Sequence, residues 1–148
     1  MNVLMGVGND LRGDDAVGVY IAKKFMDIAP SGWHVIVAGE VPEDFTSEIK
    51  KIQPDLLVIV DAAIMGLEPG DYRIVPENKI SNVAFSTHGM PLSFLISYLR
   101  DYVGEVILIG IEPESMEFGV EISQRVLHSA ERILQILQSG DVRSIPKL

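Results

Sequence analysis

The chain has 148 residues, a length that suits a single domain spanning 1–148 with room for a sizeable core. Apolar residues make up 47% and charged residues 22%, which is ordinary globular usage. A net charge of −9 without any Lys/Arg cluster repels phosphate backbones, so nucleic acid is excluded as a partner, as is an anionic membrane surface.

Cysteine is absent, which removes thiol catalysis, cysteine-zinc sites and disulfides together; any metal has to be held by oxygen and imidazole. The N-terminal run MNVLMGVGND lacks a basic n-region and a cleavage pattern. The longest apolar runs, such as 56–60, are far too short to span a bilayer. The expectation is a soluble, cytoplasmic protein with no membrane insertion.

In chain order, residues 2–8 form a short apolar run ending in glycines, the pattern of a first strand. Asp14 and Asp15 then open a helical pattern: Val17, Ile21, Phe25 and Ile28 share one face, with Lys23 and Lys24 turned away. Pro30, Ser31 and Gly32 stop it, and 33–37 is the second strand. Phe45, Ile49 and Ile52 mark a short second helix. The continuous LLVIV of 56–60 suits a strand covered on both faces. The stretch after it, DAAIMGLEPGD, is too short and too rich in turn residues for a crossover helix, so the strand at 72–75 is expected to be antiparallel. Pro91 stands where a helix begins, with Leu92, Leu95, Ile96 and Leu99 as its stripe. A fifth strand follows at 105–111. The last helix carries Ile122, Val126, Ala130, Ile133 and Leu137 on one face and stops at Gly140, leaving 140–148 as a loose tail. This alternation predicts a three-layer α/β sandwich, with helices on both faces of a five-stranded, mostly parallel sheet that holds one antiparallel strand.

Such sheets carry their sites beyond the carboxyl ends of the strands. Asp15 follows the first strand and Asp61 directly follows the third. His88 lies just before a helix that must start at the same edge in order to lead down into the fifth strand. Topology therefore brings two carboxylates and an imidazole to one place, an incomplete coordination sphere with positions open for water or substrate. Each residue also has an ordinary explanation. Asp14 and Asp15 can complement or cap a helix N-terminus, and an Asp after a buried strand can simply turn the chain. His88 stands apart from His34, in a strand, and His128, on the polar face of the last helix. The glycines of Gly6-Val7-Gly8-Asn9 are a weak dinucleotide signal, because Gly13 falls too far along and two aspartates stand where a pyrophosphate would sit. Close helix–strand packing explains them as well. Ser86 and Thr87 adjoin His88 without a nucleophile-elbow pattern. The segment from Glu112 to Ser115 follows the fifth strand and is placed to line the cleft.

Gly6-Val7-Gly8-Asn9, Gly13-Asp14-Asp15, Val60-Asp61-Ala62, Thr87-His88-Gly89-Met90-Pro91 and Gly110-Ile111-Glu112-Pro113 together resemble the hydrogenase maturation endopeptidases. The branch that processes the large subunit of hydrogenase 3 is the nearest. Met65-Gly66-Leu67 with the Pro69-Gly70 turn carries the same likeness, which runs over about residues 1–119. The resemblance implies a hydrolase, aspartyl-type or metal-assisted, that removes a C-terminal peptide from the precursor of a [NiFe]-hydrogenase large subunit after nickel insertion. It places Asp15, Asp61 and His88 on the nickel-contacting and catalytic positions, with the nickel supplied by the substrate; another divalent metal can take the same ligands. Where the family usually carries Asp-Gly-Gly or a Gly-Thr/Ser loop after the second strand, this chain has Ala38-Gly39-Glu40-Val41-Pro42. Gly39 and Glu40, with Glu112, are accordingly the expected substrate-loop residues. Beside this endopeptidase stand a chaperone that holds the precursor without cutting it, a nucleotide-binding protein, and a metallopeptidase with its own metal.

Overall fold

Five runs of β-branched and aliphatic residues pair into one sheet, and the gaps between them set its topology. The computed structural model describes residues 1–28, 30–85 and 90–148. In chain order they form β1 (Asn2–Val7), α1 (Val17–Ile28), β2 (Trp33–Gly39), α2 (Thr46–Ile52), β3 (Leu56–Ile64), β4 (Tyr72–Ile74), β5 (Ala84–Phe85), α3 (Leu92–Leu99), β6 (Glu105–Ile111) and α4 (Gln124–Ser139). The sheet order is β2-β1-β3-β6-β4, with β5 paired to the end of β3. Strands β2, β1, β3 and β6 are mutually parallel. Strand β4 is antiparallel to β6, because the loop before it is too short for a crossover.

Period-2 alternation sends successive strand residues to opposite faces. On one face Leu4, Val58, Val60, Ile107 and Ile109 pack under Val17, Ile21 and Phe25 of α1 and Val126, Ala130 and Ile133 of α4. On the other, Val3, Met5, Leu57, Ile59 and Leu108 meet Ile49 of α2 and Leu92, Leu95 and Leu99 of α3. The three-layer architecture is as expected, and the differences are local. Strand β3 runs to Ile64 rather than stopping at 60, because Ala63 and Ile64 gain the partners Phe85 and Ala84. That pairing adds a sixth strand of two residues, too short to carry a periodic signal. Ile122 lies just outside α4 and Ile28 is exposed.

The C-terminal segment corrects the expectation of a loose tail over 140–148. Val142 and Ile145 are buried. The Ile74 N–H donates to the Pro146 carbonyl, and the Leu148 N–H donates to that of Ile74. These residues extend the edge beside β4, so two apolar side chains and a short ladder hold the end of the chain. Among the described residues no helix is long and apolar enough to cross a membrane.

Helix α1 lies unusually close to β1. A Cβ at Gly6 would stand 2.1 Å from the Gly18 carbonyl oxygen, and one at Gly18 would stand 2.3 Å from the carbonyl oxygens of both Val7 and Val60. Helix propensity alone favours alanine over glycine by about 1 kcal/mol in a helix interior. Backbone atoms cannot yield as a side chain would, so Gly18→Ala is expected to reverse that sign and destabilise by about 2 kcal/mol or more in urea unfolding. A neutral or stabilised Gly18→Ala would show that the helix–strand contact is not what holds α1 in place.

Candidate active site at the carboxyl edge of the sheet

Beyond β1 the chain passes through Gly8–Arg12 and turns through a 3-10 segment, Gly13–Ala16, into α1. This segment packs against β3, the neighbour of β1 in the sheet. Asp15 is 3% exposed and Asp61 fully buried, so two carboxylates lie out of water at the ends of adjacent parallel strands. The Asn9 N–H donates to Asp15 Oδ2 at 3.1 Å, and Asn9 Oδ1 accepts from the Leu11 N–H at 2.8 Å, which folds the intervening loop over. Asp15 Oδ1 is buried with no hydrogen-bond partner among the described residues, and no ion pair there reaches Asp15. Asp61 sits inside β3, in register with Gly110 of β6, rather than just after the strand.

Asp14 has a different task, which the neighbouring positions of the two aspartates conceal in the sequence. It is fully buried and faces the segment after β6. Its Oδ2 accepts from the Glu114 N–H at 2.8 Å, the Ser115 N–H at 3.2 Å and the Ser123 hydroxyl at 2.9 Å, while Oδ1 accepts from the Ser123 N–H at 2.7 Å. Its own N–H donates to the Ser115 carbonyl. Gly13 permits this approach: its φ is 55°, and a Cβ there would meet Ser115 O at 2.6 Å. Asp14 is thus a charge-assisted clamp between two loops. Four donors converge on it, whereas Asp15 receives one from Asn9.

The other expected site residues divide. Glu112 is buried at the same edge, where its Oε1 accepts from the Met65 and Leu67 N–H groups and so braces the turn after β3. Gly39 ends β2 at the same edge, and Glu40 beyond it is exposed. The acid that turns inward after β2 is Glu43, in the 3-10 segment Pro42–Phe45. Its Oε2 is buried without a hydrogen-bond partner among the described residues. Its signal in the sequence was faint: an acid one place after a proline, in a segment that carries Glu40 and Asp44 as well. His88 lies outside the described residues. His34 pairs with Glu48 at 2.5 Å on the surface, and His128 is exposed. Among the described residues no three His, Asp or Glu side chains form a metal site.

The donor chemistry nevertheless fits a metal. A buried carboxylate oxygen with no donor and no counter-charge is expensive to keep. A hard-to-borderline cation would relieve that cost, and carboxylate with imidazole is a suitable ligand set.

This fold defines a class: a three-layer α/β protein with a mostly parallel sheet and two buried carboxylates toward its carboxyl edge. The sequence model described as hydrogenase maturation protease matches residues 19–139, a span that begins just after Asp15 and contains Asp61 and His88. A putative hydrogenase maturation protease of Methanocaldococcus jannaschii is 39% identical over 144 residues, covering 91% of this chain and 85% of that protein. The hydrogenase 3 maturation protease of Escherichia coli is 38% identical over 141 residues, covering 95% of this chain and 90% of that one. The solution structure of the endopeptidase HycI from Escherichia coli superposes with a TM-score of 0.91 at 36% identity, covering 100% of this chain and 96% of that one. The chain therefore belongs to the hydrogenase maturation protease family, and it is an endopeptidase of that family.

The contrast between the two aspartates can be tested. Asp14→Asn puts an amide where several donors already converge, and is expected to cost about 3 kcal/mol in chemical unfolding. Asp15→Asn keeps an acceptor for the Asn9 N–H and removes a buried charge, so its stability is expected to be unchanged or raised by up to about 1 kcal/mol. Equal losses at both positions would refute the division of labour.

Proposed function

We propose that this endopeptidase removes a C-terminal peptide from the precursor of a [NiFe]-hydrogenase large subunit, and that it recognises the nickel carried by that precursor. The observation that carries the reading is Asp15 Oδ1, buried without a hydrogen-bond partner among the described residues, in a turn that packs against β3, the strand that holds the buried Asp61. Asp15, Asp61 and His88 are the ligands this chain offers to the incoming metal. Phe85, three residues before His88 in the chain, pairs with Ala63, two residues after Asp61, which is in keeping with a shared site. Nickel is cargo here: it belongs to the substrate, and the cleavage signal is its presence.

In the hydrolysis itself, water adds its hydroxyl to the scissile carbonyl carbon, the C–N bond breaks, and the departing nitrogen takes the proton. A carboxylate of the site can remove the proton from the water as general base and return it to the leaving amine. Substrate nickel can instead polarise the carbonyl or acidify the water as a Lewis acid. In either case the metal anchors the precursor, so that docking and chemistry depend on maturation. The related protein of Escherichia coli is by its name a protease of hydrogenase 3 maturation, which supports a precursor of that type as substrate.

Mass spectrometry of a precursor large subunit, incubated with this protein with and without nickel, is the direct test. Nickel-dependent loss of C-terminal mass is expected. Cleavage of metal-free precursor would overturn nickel recognition, and an intact precursor in a stable complex would overturn the peptidase. In the same assay His88→Ala is expected to lower processing by at least about 100-fold, the scale of a lost metal ligand or acid–base group, with an unchanged circular dichroism spectrum. His128→Ala is expected to process as wild type does, because His128 is exposed on α4. Normal processing by His88→Ala would remove His88 from the site.

A further inference from the structure

With Asp15, Asp61 and His88 holding the nickel of the precursor, the proton of the attacking water lacks an acceptor. A carboxylate or imidazole that gives its lone pair to a cation has less to give to a proton. The other described acids at the carboxyl edge are mostly engaged or out in solvent. Asp14 receives four donors, and Glu112 accepts from the Met65 and Leu67 N–H groups. Glu40, Asp44 and Glu114 are exposed. Glu43 differs from all of these: its Oε2 is buried without a hydrogen-bond partner, and no ion pair among the described residues reaches it. Its backbone is fixed, because Pro42 before it is buried, the Asp44 N–H donates to the Val41 carbonyl, and the Thr46 hydroxyl donates to the carbonyl of Glu43 itself.

The fold puts Glu43 on the same side of the sheet as Asp61. Leu57 and Ile59 face α2 and α3 while Val58, Val60 and Ala62 face the other way, so alternation turns Asp61 toward the α2–α3 side. The segment that carries Glu43 lies on that side as well, since Phe45 and Ile49 pack into the same core. The levels agree too. Val60 pairs with Gly6 and Val7 with Gly39, so Asp61 and the end of β2 stand across β1 from each other, about 10 Å apart at two strand spacings. We propose that Glu43 is the general base of the cleavage. The assignment rests on the reading of Asp15, Asp61 and His88 as ligands of substrate nickel. Glu43 takes a proton from the water as its hydroxyl adds to the scissile carbonyl carbon. It returns that proton to the departing nitrogen as the C–N bond breaks, which leaves the carboxylate as it began. A sheltered oxygen without a protein donor keeps its lone pairs for the reacting water.

Single-turnover cleavage of nickel-loaded precursor large subunit by the full chain tests the assignment, with mass spectrometry following the lost C-terminal peptide. Glu43→Gln keeps the size and burial of the side chain but cannot accept a proton, and is expected to slow the step by at least about 100-fold. Its affinity for nickel-loaded precursor, and the advantage of that precursor over the nickel-free one, are expected to stay within about twofold of wild type. Glu43→Asp, which keeps the carboxylate, is expected to cleave faster than Glu43→Gln. Asp44→Asn, at the exposed neighbour in the same segment, is expected to cleave as wild type does. A Glu43→Gln rate within about threefold of wild type would overturn the assignment, as would an equal loss in Glu43→Asp or in Asp44→Asn. A lost nickel advantage in Glu43→Gln would overturn it too, because Glu43 would then be a ligand. Urea unfolding separates chemistry from folding: Glu43→Gln is expected to be at least as stable as wild type, since it removes an unpaired charge, and a less stable variant would make Glu43 a structural residue instead. Wild-type cleavage in the same series reports on the endopeptidase reading. If wild type cleaves and Glu43→Gln matches it, only the assignment to Glu43 falls; if wild type leaves the precursor intact, both fall.

Discussion

The buried carboxylate of Asp14 is the constraint on which the working end of this molecule depends. It gathers two backbone N–H groups at 114 and 115 and both donors of Ser123 onto one side chain, and so fixes the long segment after β6 against the loop after β1. Without it, neither segment has much to hold it, since both are short of buried apolar residues between 8 and 12 and between 113 and 123. With it, the 3-10 turn that carries Asp15 is held from outside while β3 supports it from within. One well-satisfied charge therefore positions a less satisfied one, and this division explains how adjacent aspartates with equal burial do unlike work.

The close contact of Gly6 with Gly18 serves the same end. It draws α1 down onto β1, so that the first turn of the helix sits directly over the carboxyl ends of β1 and β3. A bulkier pair would lift the turn and separate Asp15 from Asp61. Burial of carboxylates then carries a cost that the apolar core on both faces of the sheet offsets. Sites that must bind charge commonly hold such unfavourable groups, with stability supplied elsewhere.

Much of this was legible in the sequence, and the failures have physical causes. Runs such as 56–60 and 105–111 are continuous and β-branched, so their burial on both faces could be read directly, and the short, turn-rich loop before Tyr72 forced the antiparallel strand. Strand β5 escaped notice because two residues have no period. The docking of the C-terminus rests on Val142, Ile145 and a short ladder to Ile74, a tertiary effect without a local pattern. Asp14 and Asp15 are the same residue type one position apart, and only the rotation of the 3-10 turn decides which faces the loop and which the sheet edge. After β2 the expected substrate-loop residue Glu40 is exposed, and the acid whose side chain is drawn into cover, Glu43, had no signal to set it apart from its acidic neighbours. Asp61 lies within β3 rather than directly after it, because pairing with β6 and β5 carries the strand on to Ile64, and His88 lies outside the described residues.

The central claim is that Asp15 and Asp61 receive a metal that arrives inside another protein. The most direct measurement is the nickel dependence of binding, taken with a precursor made resistant to cleavage at its scissile bond so that cleavage does not intervene. Affinity for nickel-loaded and nickel-free precursor would be compared with and without the added pair Asp15→Asn and Asp61→Asn. The account predicts that nickel tightens binding by at least about tenfold and that this advantage disappears when both carboxylates are neutralised, a coupling of more than about 1.4 kcal/mol between metal and carboxylates. An equal nickel advantage with and without the two carboxylates would contradict it.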